Sequence, residues 1–346
     1  MDFSKPENAR KINRLKVLYA LRRQPCSRAD LSRRLGINKV SISEIADSLI
    51  REGLIREGCK DTTKQGRPST ILSIAKEHGR AFSIEILPRK VTVSASNLEG
   101  QVLRFMQFPR TESIWDDVRR TIEKLSSNDV RNYGAAVITD ERISMPEGIL
   151  GFPFIIMPSA MAEAKAEMSH AYEELSSTLF LSWSDSIGAA YSENGTLHNL
   201  PTFAHMRVRN DGICTCGGTG CLEECAAISS LREKSGLDSR ALLSASVNEP
   251  LGAIAFAITE AVQVLGVHNA MITGDMSQMK AENYAYLQER IASKLPPSRS
   301  DFIVFRSQCG EAAAREGGAI AALEKFFYSS ELLRMLDAIE MNSCGL

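Results

Sequence analysis

At 346 residues, with 44% apolar side chains and a net charge of −1, the chain is long enough for two or three domains with an extensive core. It contains no run of eighteen apolar residues, and its opening MDFSKPENARK lacks the apolar stretch of a secretory signal, so a cytoplasmic protein with neither membrane span nor export is expected. Four of the eight cysteines fall within residues 214–225 and the others at 26, 59, 309 and 344, a distribution unlike the disulfide framework of a secreted domain.

Charge is unevenly spread along the chain. Residues 1–80 carry 18 Lys and Arg against 9 Asp and Glu, a net of +9, whereas the remainder carries 23 against 33, a net of −10. A basic head on an acidic body points to a polyanion, double-stranded DNA, as the partner of the head. A charged face that is merely solvated is the alternative.

Within the head, SRADLSRRLGINKVSISEIADSLIREGLI reads as helix, tight turn and helix. Ser27 is placed to cap the first helix, with Asp30 three residues later completing a capping box. Leu31 and Leu35 share a buried face, Gly36 makes the turn, and Asn38 caps a second helix from about Lys39 to Arg51. Ile42, Ile45 and Leu49 form one buried stripe of that helix. Asn38, Lys39, Ser41, Ser43 and Glu44 then lie near its exposed amino end, where a recognition helix meets the major groove. Lysine suits phosphate or guanine and the hydroxyls suit phosphate or base edges, while Glu44 either accepts from a cytosine amino group or faces solvent. Leu54–Glu57 and Thr70–Ile74 read as a two-stranded wing, with Arg67 between Gly66 and Pro68 on its stiffened tip. A helix-turn-helix used only for protein contacts would show the same pattern without the positive charge.

From residue 79 onward strands and helices alternate. Ala81–Leu87, Val91–Asn97 and Gln101–Phe108 form an expected three-strand meander, followed by a helix over Ile114–Leu125 and a buried strand over Gly134–Thr139. A second pass begins with a strand at Leu179. It continues with an expected helix from Ser186 to Glu193, a strand near His205, helices near 223–233 and 249–265, strands at Ala270–Thr273 and Phe302–Phe305, and a last helical region. Periodicity alone defines only an α/β fold. The expected division is a DNA-binding domain over 1–78 and a body over 79–346, with lobes of about 79–180 and 181–325 and a C-terminal helix over 326–346.

Inside that second pass, HMRVRNDGICTCGGTGC spaces four ligating residues as H-x8-C-x-C-x4-C. His205, Cys214, Cys216 and Cys221 make a donor set for one structural Zn²⁺ per chain, because thiolates and a neutral imidazole suit that cation. Gly212, Gly217, Gly218 and Gly220 permit the tight folding needed to aim three sulfurs at one point. Ordinary reduced loop cysteines are the alternative reading.

The string CTCGGTGCLE resembles the C-x-C-G-x-x-G-C-x-E signature of the ROK family of bacterial repressors and sugar kinases, and the resemblance extends over nearly the whole chain. It implies a winged helix-turn-helix head whose G-R-P wing reaches DNA, and a duplicated, ribonuclease-H-like (actin/hexokinase-type) body with a ligand cleft between its lobes. It also implies that the zinc loop shapes a sugar pocket, with His205 bound to zinc through one ring nitrogen and turned toward a sugar hydroxyl by the other. The family's base is the aspartate of an N-D pair; here Asp185 matches it and Ser184 replaces the asparagine, a helix amino-terminal cap being the alternative role for Asp185. Glu223 matches a further sugar-binding position or caps the helix after Cys221, and Thr202 replaces the glutamate of the family's E-x-x-H.

The phosphate loops depart further from the family. IEILPRK puts Glu85 in place of the aspartate of D-x-G and offers no glycine, and Pro88 removes an amide donor. ITGDMSQ keeps only Gly274 and adds the negative charge of Asp275. The expectation is a carbohydrate-sensing transcriptional regulator, a repressor by type, assembled as a homodimer or homotetramer, and not an enzyme. The alternatives are a sugar kinase, or a body that has lost sugar binding and acts through oligomerisation or a protein partner.

Overall fold

The computed structural model describes residues 6–61, 69–126, 130–146, 148–171, 174–244 and 248–328. The head comprises α1 (Pro6–Arg23), β1 (Cys26–Ser27), α2 (Arg28–Leu35), α3 (Lys39–Arg51), β2 (Ile55–Asp61) and β3 (Ser69–Ile74), with the strands in the antiparallel order β1-β3-β2. Ser27 caps α2 by accepting from Asp30 N at 3.2 Å. Its own hydroxyl donates to the Asp30 carboxylate, so the reciprocal bond goes to the hydroxyl where a capping box would use the backbone N–H. Gly36, at φ +63, ends α2 in the left-handed region, and Asn38 Oδ1 caps α3 by accepting from Ser41 N at 2.8 Å. Ile42, Ile45 and Leu49 are buried against Leu31, Val17 and Leu21, which leaves the other face of α3 to solvent. The wing tip, including Arg67, lies outside the described residues.

The body repeats one topology twice. The first lobe has β4 (Gly79–Ile86), β5 (Lys90–Ser96), β6 (Val102–Pro109), α4 (Ile114–Leu125), β7 (Arg131–Ile138), β8 (Phe154–Met157) and α5 (Ser159–His170). The second has β9 (Thr178–Trp183), β10 (Ile187–Glu193), β11 (Thr196–Asn199), α6 (Leu222–Ala226), α7 (Ile228–Ser235), α8 (Ser239–Ser244), α9 (Asn248–Leu265), β12 (Asn269–Thr273), α10 (Ala281–Ala292) and β13 (Ile303–Arg306), and α11 (Ala313–Phe326) returns from it to the first lobe. The sheet orders are β6-β5-β4-β7-β8 and β11-β10-β9-β12-β13. In each, an antiparallel three-strand meander is extended by two parallel strands on the far side of its first strand. That pattern is the duplicated ribonuclease-H-like fold.

Three sequence-based expectations give way here. Residues 186–193 are the strand β10 and not a helix: a tight Ser184–Ser186 turn folds them back onto β9, and pairing overrides the helix propensity of Ala189 and Ala190. The segment at His205 is a single 3₁₀ turn, Phe203–His205, and the nearby strand is β11. Residues 313–325, grouped with the second lobe by sequence, pack as α11 on α5 and the first-lobe sheet, where a Cβ at Gly317 would come within 1.6 Å of Ala162 O. Beyond Tyr328 the expected terminal helix lies outside the described residues.

The helix α11 also reaches the head. Glu324 pairs with Arg22 of α1 at 3.2 Å and with Lys165 of α5 at 2.5 Å. Just past the helix, the Tyr328 ring lies under the Arg22 guanidinium, and its hydroxyl donates to Leu98 O at 2.8 Å. Leu18, Leu21, Ala81, Leu98, Leu323 and Phe327 belong to one apolar cluster, so head and first lobe share a core.

Candidate functional site

Three sites stand on this frame. On the head, Asn38, Lys39 and Glu44 are exposed and Ser41 and Ser43 half-buried around the amino end of α3. Asn38 is committed through its carbonyl to the cap, so it orients the helix. Val40, 70% exposed on this turn, was passed over by sequence reasoning because an apolar residue reads as core; its branched methyls suit a thymine methyl group.

In the second lobe, His205, Cys214, Cys216 and Cys221 converge, each offering one donor atom within 4.8 Å of the others. Cys216 Sγ lies 3.7 Å from Cys221 Sγ, and Cys214 Sγ lies 3.7 Å from His205 Nδ1. A tetrahedral ion with Zn–S bonds of about 2.3 Å has sulfur–sulfur edges of about 3.8 Å, whereas a disulfide would bring the sulfurs to about 2 Å. The donor set and spacing therefore fit a metal ion. Bridges Arg207↔Cys221 and Ile213↔Thr219 close the loop into a small hairpin, and Gly220 permits it: at φ +70, a Cβ there would stand 1.9 Å from Arg209 O. Burial and the adjacent Cys216 and Cys214 sulfurs push the Cys221 thiol up to about 12.

Between the lobes lies a cleft of about 530 Å³. Glu85 stands at the end of β4, Asp140 follows β7, and Glu163 projects from α5; Ser184, Asp185 and Ser186 come from the β9–β10 turn, Arg232 from α7, Gly274 and Asp275 from the turn after β12, and Arg315 from α11. The two lobes meet across it where Ser186 Oγ donates to Asp140 at 3.4 Å, the other oxygen of which accepts from Ser159 N at the start of α5. Asp185 is paired with the Arg232 guanidinium at 2.7 Å and caps no helix. Ser184 Oγ accepts from Asp275 N at 2.9 Å, and Gly274, at φ +73, presses so closely on Trp183 and Ser184 that a Cβ would lie 2.5 Å from that hydroxyl. The Asp275 amide is thus already bonded. Burial pushes both Asp275 and Glu85 up from the usual carboxylate range, partly opposed by Lys90 for each and by Arg315 for Glu85.

Of the five sequence-predicted effector residues, only Ser184 and Asp185 line this cleft. Glu223 stands behind them, accepting from Ile187 N at 2.8 Å without capping α6, and burial pushes it to about 7. His205 belongs to the cysteine cluster, and Thr202 is exposed before its 3₁₀ turn. Glu163 is buried, accepts from Thr273 Oγ1 at 2.5 Å, and is pushed by burial to about 8. Its signal was a glutamate in the alanine-rich run SAMAEAKAEM.

Head, duplicated body and cysteine loop define a winged-helix protein built on a sugar-kinase-type fold. Residues 11–65 match the MarR family, and no curated protein sequence matches the chain. Among solved structures, a ROK family transcriptional regulator, a homologue of the E. coli Mlc protein, superposes with a TM-score of 0.72 at 18% identity, covering 94% of this chain and 98% of that one. A ROK hexokinase from Thermus thermophilus gives a TM-score of 0.59 at 16% identity, covering 71% of this chain and 98% of its own. A ROK glucokinase from Streptomyces griseus, in complex with glucose and AMPPNP, gives 0.58 at 17%, covering 71% and 100%. The fold is therefore that of ROK proteins. The regulator spans nearly all of this chain, whereas the kinases span 71% of it. Among the described residues, no helix is long and apolar enough to cross a membrane.

Proposed function

We propose that this chain is a DNA-binding transcriptional regulator of the ROK type, whose interlobe cleft senses a small carbohydrate and whose head binds paired half-sites as a homodimer or homotetramer. The observation that carries this reading is the capped α3, its polar and apolar side chains exposed at the amino end, fused to a body whose phosphate-facing turn is closed. A kinase base must be poised to take a hydroxyl proton. Asp185 is instead bound to Arg232, and Asp275 with Glu85 places carboxylates where ATP phosphates would need cations and amides. Hydroxyl-rich ligands suit the alternation of carboxylates, guanidinium groups and serines along the cleft, and closing the lobes around one requires only a few kcal/mol of differential affinity to reposition the heads.

The bound metal in this reading is Zn²⁺, held by His205, Cys214, Cys216 and Cys221. It serves as a structural cross-link, fixing the loop that leads into α6 and therefore Glu223 behind the β9–β10 turn.

The test is capture and sequencing of genomic fragments by the purified chain. Enrichment of a paired-half-site motif beside carbohydrate uptake or catabolism genes is expected, and it should be lost in a double variant, Lys39→Ala with Arg67→Ala. Equal enrichment by that variant would remove the DNA-binding reading, and ATP-dependent hexose phosphorylation abolished by Asp185→Asn would revive the kinase.

A further inference from the structure

Outside the cleft and the cysteine loop, a second group of ligating side chains meets where the end of α5 faces the start of α11. His170, Cys309 and Glu316 each offer a donor atom within 4.8 Å of the other two. His170 Nε2 lies 3.7 Å from Glu316 Oε2. They come from three separate segments: the last residue of α5, the loop after β13, and the first turn of α11.

The loop that carries the thiol is built in place. Glu167, one turn before His170 and 2% exposed, accepts from Ser307 Oγ at 2.5 Å, Gln308 N at 3.2 Å and Cys309 N at 3.0 Å. Gly310 N donates to Ser307 Oγ at 2.9 Å and closes the turn. A buried carboxylate thus fixes the cysteine backbone opposite the helix that carries the histidine.

The geometry points to a second divalent-cation site of the zinc class at His170, Cys309 and Glu316, with a fourth position open to solvent. A sulfur, an imidazole nitrogen and a carboxylate oxygen form a donor set that zinc takes and magnesium or calcium does not. At bond lengths of about 2.0–2.3 Å, tetrahedral edges run to about 3.3–3.8 Å, so the His170–Glu316 approach already matches. No donor pair stands farther apart than 4.8 Å, about 1 Å beyond the longest such edge, and the His170 side chain, 59% exposed at the helix end, is free to adjust. An ion there ties α5 to α11 and to the loop whose Gly310 and Glu311 line the cleft. With three protein ligands and an exposed histidine, the site exchanges its metal with solvent, unlike the four-ligand cysteine loop.

Equilibrium dialysis of the full chain against micromolar free Zn²⁺, and against Co²⁺ with the thiolate-to-cobalt absorbance recorded, tests this directly. The wild-type chain should bind one equivalent more than either Cys309→Ser or His170→Ala, and each variant should lose part of the cobalt–thiolate band. Comparing these variants with wild type keeps the result independent of the cysteine loop, and the exposed position of His170 keeps the second variant folded. Equal stoichiometry in all three proteins would overturn the site. Loss with His170→Ala but not with Cys309→Ser would overturn it too, since it would mark a surface histidine acting without the thiol.

Discussion

Cys216 is the exposed member of the cysteine loop, so replacing it with serine removes little packing but opens the ligand set. Cys216→Ser should lose the loop's metal and lower the melting temperature by several degrees, and metal analysis of protein purified without chelators checks the premise. Glu163 makes a different prediction, set by pH. Its ordinary value is 4.5 and burial raises it to about 8, so between these values the unfolded chain releases a proton that the folded chain keeps. The folded state is thus favoured at the acid end, and this contribution is lost as pH rises from about 4.5 to about 8. Glu163→Gln keeps the shape and removes the titration; its melting temperature relative to wild type should rise across that window, by an effect on the order of a few kcal/mol. A constant difference between pH 5 and pH 8 would show that Glu163 does not hold its proton. The cysteine spacing was readable from sequence because its ligands are local, within one loop. The cleft was readable only in part, through the resemblance that named Ser184 and Asp185, because Arg232, Arg315 and Glu163 join its lining only through tertiary folding.

At the scale of elements, α3 was legible to its boundaries because Asn38 and Gly36 carry local cap chemistry and Ile42, Ile45 and Leu49 recur with helical period. The strand β10 was misread for the opposite reason: its identity is decided by pairing with β9 and β11, and its small residues carry weak alternation. Helix α5 escaped notice because it is buried nearly all round, from Ala160 through Ala166 with Glu163 and Glu167, and a helix covered on every side has no amphipathic stripe. Two substitutions separate capping from contact on α3. Asn38→Ala removes the bond to Ser41 N and should cost about 1 kcal/mol of stability, read by denaturant unfolding. Lys39→Ala leaves the cap intact and should weaken all DNA sequences alike, with the salt slope of binding reduced by about 1 if it neutralises a phosphate. A change in sequence preference with an unchanged slope would place Lys39 on a base edge.

At the scale of the whole molecule, the basic head and acidic body could have been independent domains on a linker, which their charge contrast alone would have suggested. Their connection is instead made by contacts far apart in sequence, through α11, whose first turn lines the cleft and whose end meets the head. Ala314 and Arg315 face the cleft, Glu324 pairs with Arg22, and the Tyr328 ring lies beneath that guanidinium with its hydroxyl on Leu98 O. The Arg22–Glu324 pair is mostly sheltered, and Lys165 shares the carboxylate, so Arg22→Ala loses a cation–π contact and an ion pair while leaving Glu324 compensated. A shared core makes head and first lobe melt together, and calorimetry of the full chain should give one transition for this unit. Phe327→Ala, which removes a ring stacked edge-on between Tyr133 and Tyr328, should cost about 3 kcal/mol or more and separate the head as an earlier transition; Arg22→Ala should do so more weakly. If both variants lower a single transition without splitting it, the head remains joined through its other contacts, such as Lys76 and Leu98 across the domain boundary. If wild type already melts in two steps, α11 does not couple the cleft to the head, and any response of DNA binding to a ligand must pass through the assembly of subunits.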